Sequence, residues 1–222
     1  MSSFSRPDRR QFLGASAGLG LSFVGAATGT AVAQAPGASS FPLEAMLAEA
    51  ALPDEWLGSK DAPVTVIEYA SMTCPHCAAF HAQTFPALKA QYIDTGKVRF
   101  VLREFPFDPL ATAGFMLARC AGPNKREAMI DLLFAQQKNW AFTDKPFQGL
   151  SNLIKQTGMS QETFESCLKD QALYDKVNAV RDAGAKKFGV EATPTFFING
   201  KKASGDMSIE EMAKLFAPFL KG

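Results

Sequence analysis

Val64-Thr65-Val66-Ile67-Glu68-Tyr69-Ala70, then Ser71-Met72-Thr73, then Cys74-Pro75-His76-Cys77: a β-branched run leads directly into two cysteines three apart. Bounded by Pro63 and Ser71, the run reads as a buried strand. Pro75 suits the first position of a helix, where its missing N–H leaves no helical bond unmade. Helical spacing continues through Phe80, Leu88 and Tyr92 to a stop at Gly96, with a kink expected at Pro86. Val98, Phe100 and Leu102 then alternate with Arg99, Val101 and Arg103, the pattern of a second strand. Strand, helix, strand makes one βαβ unit.

Working outward, residues 108–188 lose their β signals and gain helix punctuation. Asn124-Lys125-Arg126-Glu127 reads as a capping box ahead of Met129, Ile130, Leu132 and Leu133. Leu150, Leu153 and Ile154 run to a stop at Gly158, and Ser160 suits the N-cap of a helix holding Phe164 and Leu168. Leu173, Val177 and Val180 repeat at helical spacing up to Gly189. The strand signal returns at Thr195-Phe196-Phe197-Ile198, with Asn199-Gly200 as a type I′ hairpin turn, and Ser208 opens a last helix to Leu220. The fold class is therefore α/β: one sheet over 61–107 and 189–222, interrupted by an all-helical insertion over 108–188. Residues 34–60 read as a Pro/Gly/Ser-rich linker with one short helix at Leu43–Ala50.

The chemistry sits at Cys74-Pro75-His76-Cys77. Two cysteines at a helix start lie about one turn apart, close enough to bridge. The unpaired N–H groups and the positive dipole end favour a thiolate on Cys74. His76 is expected to add a positive charge or a hydrogen bond to the same sulfur. Lowering that pKa stabilises the dithiol over the disulfide, so the disulfide is an oxidant.

This Cys-Pro-His-Cys after a strand, with Thr193-Pro194 before a late strand, resembles the DsbA family of thiol:disulfide oxidoreductases over residues 55–222. The resemblance implies a thioredoxin-like fold with a helical insertion and introduction of disulfides into reduced, unfolded exported proteins. It also implies a quinone-linked membrane partner for reoxidation, and no cofactor beyond the Cys74–Cys77 disulfide. It makes Cys74 the nucleophile that forms the mixed disulfide and Cys77 the resolving partner. Pro75 and His76 would set the potential. Pro194 would be a cis-proline, with Thr193 binding substrate through its backbone. Glu68 matches a buried carboxylate that moves the proton of Cys77. The rival readings are an isomerase or reductase and, from another class, a soft-metal-binding or chaperone-like protein. A metal site would draw on Cys74, Cys77 and His81; otherwise His81 reads as a surface or packing residue, and no metal is expected.

Cys120 and Cys167 each fall near the end of an expected helix, 47 residues apart. They are read as a structural disulfide, with two buried thiols or a regulatory pair as alternatives. The chain start carries Arg6, Arg9 and Arg10 against Asp8, then an uncharged stretch with five glycines in residues 11–33, ending Ala31-Val32-Ala33. That is an export signal cleaved after Ala33, and Arg9-Arg10-Gln11-Phe12-Leu13 resembles the twin-arginine motif, so a periplasmic location is expected. Among the 222 residues are 23 Lys+Arg and 22 Asp+Glu; removing the signal takes the net charge from +1 to −1. Such a balance offers no field for nucleic acid, and two His make a rich metal site implausible. A monomer is expected: residues 34–60 are too short for the N-terminal domain through which isomerase-type relatives dimerise, although a helix over Leu43–Ala51 leaves association open.

Overall fold

The computed structural model describes residues 39–48 and 50–220; the export signal and its cleavage site lie outside them. A short helix α1 (Leu43–Leu47) precedes β1 (Val64–Ala70), α2 (Pro75–Gln83) and α3 (Phe85–Leu88). A π-helical turn (Lys89–Ile93) then leads to β2 (Val98–Glu104). The insertion comprises α4 (Pro109–Cys120), α5 (Pro123–Ala135), α6 (Gln137–Trp140), α7 (Pro146–Lys155), α8 (Gln161–Leu168) and α9 (Gln171–Phe188). The chain closes with β3 (Thr195–Ile198), β4 (Lys201–Ser204) and α10 (Ile209–Phe216).

The four strands lie in the order β2-β1-β3-β4. β1 runs parallel to β2, with Val64 opposite Val98 and Ala70 opposite Glu104, and antiparallel to β3, with Glu68 opposite Phe196. Every residue of β1 is buried, as expected of a central strand covered on both faces. The hairpin between β3 and β4 turns through Asn199 and Gly200, both at positive φ. Its Asn199 side chain accepts from the Thr65 N–H and donates to the Pro63 carbonyl, fixing the turn onto β1.

Three readings are corrected. The break expected at Pro86 comes two residues earlier, between α2 and α3 at Thr84, because the proline ring constrains the residue before it and Pro86 offers no N–H to the preceding turn. The Thr84 hydroxyl closes the gap by donating to the Met207 carbonyl at 2.8 Å. α5 begins at Pro123 with Gly122 as its N-cap, so Asn124 lies inside the helix and no capping box forms there. A proline with its φ already set for a helix outcompetes the later start. The last helix ends at Phe216, short of Leu220.

Residues 39–60 do more than link. Ser40 bridges to Lys201 on β4, and Leu57 pairs with Phe100 on β2, so this one segment lies along both outer strands of the sheet. Phe41 packs edge-on against Phe188 and Phe197, and Met46 is fully buried. Coverage from this side explains why Arg103, a charged residue of β2, is only 3% exposed. Its guanidinium grips both Asp54 carboxylate oxygens, the Met46 carbonyl and the Tyr69 hydroxyl. Next to it, buried Glu104 accepts from Arg119 and Arg126. Burial alone would raise its pKa, but the two guanidinium groups hold the carboxyl below the usual range.

The sheet and the helical insertion share one continuous apolar core. α9 crosses Tyr69 of β1 at Gly184, where a Cβ would sit 2.7 Å from the ring. Only glycine allows that approach.

Candidate active site

Cys74 is the N-cap of α2, with extended backbone, and Pro75 occupies the first helical position. Cys74 is half-buried while Cys77, one turn on, is fully buried; both are free thiols. Across from them the Thr193–Pro194 peptide is cis, and the Cys74 thiol reaches the Thr193 carbonyl at 3.2 Å. Thus Cys74, Pro75, Cys77, Thr193 and Pro194 converge on one site.

The two sulfurs ionise very differently. Foremost, the Cys77 thiol donates to the Cys74 sulfur; partial burial opposes the charge, and the neighbouring Thr193 and the backbone N–H groups of Cys77 and His76 favour it. Together they lower the Cys74 pKa from 9.0 to about 5. Cys77 moves the other way, well above 9.0, because burial penalises its charge, its proton is engaged with Cys74, and the Glu68 charge repels a thiolate. At neutral pH the reduced site therefore holds one thiolate and one thiol.

The role expected of His76 is corrected. Its exposed ring faces Asp206, with Nδ1 3.4 Å from Oδ1, across the cleft on the loop after β4. The support His76 gives Cys74 comes through the backbone N–H that the helix start leaves free.

Glu68 is fully buried, and its Oε2 lies 3.0 Å from His81 Nε2. His81 is thus no surface residue. It is buried one helical turn beyond Cys77, stacked on Phe134 at 4.4 Å. Burial disfavours its charge, yet Glu68 and Asp131 outweigh that and raise its pKa to about 9. The ring nitrogen is turned onto Glu68, and among the described residues no group of three or more His, Cys, Asp or Glu is placed to hold a metal ion.

Two supporting residues escaped the sequence reading. Gln137 of α6 reaches over from the insertion and donates to the Met72 and Cys74 carbonyls at 2.9 and 3.0 Å. Asp108 caps α4 through the Ala111 N–H and also accepts from the Thr73 hydroxyl at 2.6 Å. Asp108-Pro109 carried a readable capping signal; Gln137 carried none. Cys120 and Cys167 are bonded, tying α4 to α8 away from the thiol pair.

Comparison with known proteins agrees with this geometry. A thioredoxin family model matches residues 51–217. A Rickettsia typhi protein named as a protein-disulfide oxidoreductase is 36% identical over 162 residues, covering 72% of this chain and 60% of that one. The chain thus spans about 60% of the length of such curated relatives. Among solved structures, alpha-DsbA1 of Wolbachia pipientis matches with a TM-score of 0.70 at 30% identity, over 76% of this chain and 92% of that one. BdbD of Bacillus subtilis matches with a TM-score of 0.66 at 26% identity, over 76% and 94%. With a family match over most of its length, a DsbA-type helical insertion and the paired cysteines at the start of α2, the chain belongs to the DsbA family of thioredoxin-fold proteins.

Proposed function

We propose that this chain is an exported thiol:disulfide oxidase acting on reduced, unfolded proteins in the periplasm. The observation that carries the reading is the asymmetry of the pair: Cys74 stands half-buried at the N-cap of α2, among free N–H groups that lower its pKa to about 5, while Cys77 is fully buried and pushed well above 9.0. A group with a pKa of about 5 is about 99% ionised at pH 7. That thiolate is a good leaving group and stabilises the reduced form, which makes the disulfide oxidising.

A substrate thiolate attacks Cys74 Sγ of the disulfide form; the Cys74–Cys77 bond breaks, its electron pair goes to Cys77 Sγ, and Cys77 takes up a proton. A second substrate thiolate then attacks the substrate sulfur held in the mixed disulfide. The substrate disulfide forms and Cys74 leaves as a thiolate. Thr193 supplies backbone groups to an extended substrate chain beside Pro194. A quinone-linked membrane partner removes the two electrons, and the protein works as a monomer. Export is supported by Arg9-Arg10 and the small-residue end at Ala33, and by the Cys120–Cys167 bond, which suits an oxidising compartment. Among the described residues no helix is long and apolar enough to cross a membrane.

Oxidation of reduced, denatured ribonuclease tests the reading, with the potential of the Cys74/Cys77 couple measured against glutathione. Recovery of activity and a potential well above that of the glutathione pool are expected. Rescue of scrambled ribonuclease at a comparable rate, with a lower potential, would mark an isomerase instead.

A further inference from the structure

The mechanism needs a proton at Cys77, a sulfur with no exposed surface, each time the pair is opened. Cys77 and His81 are four residues apart on α2, hence on one face of the helix. Glu68 closes the group from β1: its Oε2 is 3.0 Å from His81 Nε2, while its Oε1 is buried with no hydrogen-bond partner. The far nitrogen of His81, Nδ1, is likewise unpartnered and lies 3.8 Å from Oδ1 of Asp131, a half-exposed residue of α5. His81 also lines two cavities of about 310 and 320 Å³. Glu55, Arg126 and Glu127 bring charge to the first, Lys89 and Asp131 to the second.

We propose that His81 is the proton outlet of the buried cysteine, passing protons between Glu68 beside Cys77 and Asp131 at the surface. This rests on the oxidoreductase reading and specifies how its first step stays neutral. When the Cys74–Cys77 bond breaks, the electron pair on Cys77 Sγ takes a proton that the His81 imidazolium gives up at Nε2 and the Glu68 carboxylate hands on. The imidazole then recovers a proton from solvent on its Asp131 side. In reoxidation the same groups carry the proton outward. His81 thus acts on Cys77 through Glu68, as a positioning and relay residue. The charges facing it are Glu68 from β1, Asp131, Glu127 and Arg126 from α5, Lys89 from the π turn and Glu55 from the N-terminal segment.

The test is a single-turnover reduction of the oxidised full chain by dithiothreitol, with rapid quench and thiol alkylation, across pH 6 to 10. Taking the ratio of variant to wild-type rate at each pH cancels the ionisation of the dithiol. His81→Gln keeps a hydrogen bond to Glu68 but carries no proton, so its rate should fall on the order of 10²-fold below pH 9 and converge on wild type above it. Thiolate absorbance of Cys74 should stay unchanged. Asp131→Asn, at a half-exposed position, should move the convergence point to lower pH, because it removes a negative charge facing the imidazole. A His81→Gln rate within twofold of wild type at every pH, or a profile untouched by Asp131→Asn, would overturn the relay while leaving the oxidase intact. Failure of wild type to exchange with the dithiol would overturn both.

Discussion

The molecule contains two cysteine pairs of opposite design. Cys74 and Cys77 are separated by two residues, sit at a helix start and are surrounded by donors that favour a negative sulfur. Cys120 and Cys167 are 47 residues apart and join the C-terminal ends of α4 and α8, where the free backbone groups of a helix are carbonyls rather than N–H donors; Cys167 is buried at 4% exposure. What separates a working disulfide from a structural one here is the stabilisation available to the broken form. The first pair is built to be comfortable open, the second to stay closed.

The contrast breaks most visibly at Cys74. Cys74→Ser should abolish oxidation of reduced ribonuclease while leaving far-UV circular dichroism unchanged. The double substitution Cys120→Ala with Cys167→Ala should do the reverse, keeping turnover while lowering stability by about 4 kcal/mol on the loop-entropy account. For a domain of this size that is a fall in melting temperature of about 10 °C. Gln137→Leu lies between the two. It strips the Met72 carbonyl of its partner, and chemical denaturation should report a loss of about 2 kcal/mol, with slower turnover as the Cys74 loop loosens. Smallest is Thr193→Val, which removes the hydroxyl nearest the thiolate and should raise the Cys74 pKa by about one pH unit, read by thiolate absorbance.

The comparison also has a pH dependence. The Cys74 pKa is depressed in the folded reduced protein, so its contribution is present above the unfolded value and lost as pH falls through about 5. The reduced form should therefore gain stability over the oxidised form from about pH 5 to pH 9. Paired denaturation curves in the presence and absence of reductant would show a constant difference if Cys74 were not specially stabilised.

The site was legible in the sequence to the extent that its chemistry is local. Cys74, Pro75 and Cys77 share one helical turn, and Pro194 is set by its own peptide bond. The strand holding Glu68 was equally clear, since a single acid among Val66, Ile67 and Tyr69 stands out. What stayed hidden depends on side chains meeting across the fold. Gln137 is 63 residues from the Cys74 carbonyl it holds, and Asp131 is 50 from His81. No periodicity encodes such distances. His81, read as a surface or packing residue, and Arg103, placed only by strand alternation, are each buried with an acid beside them, and charge pairing settles burial where hydropathy is silent. His76 failed for another reason, since motif spacing fixes the backbone and leaves the ring free to turn toward Asp206.

The N-terminal segment has a consequence beyond anchoring. By bonding Phe41 to Gly200, Ser39 to Lys202 and Leu57 to Phe100, one stretch of chain caps both rims of the sheet. A rim left bare presents a row of unsatisfied amides on which any extended polypeptide can template itself, including another molecule of the same kind. On the proposed function, with unfolded chains as clients, those caps would keep client strands off both rims, and the proposed cleavage after Ala33 would leave them in place.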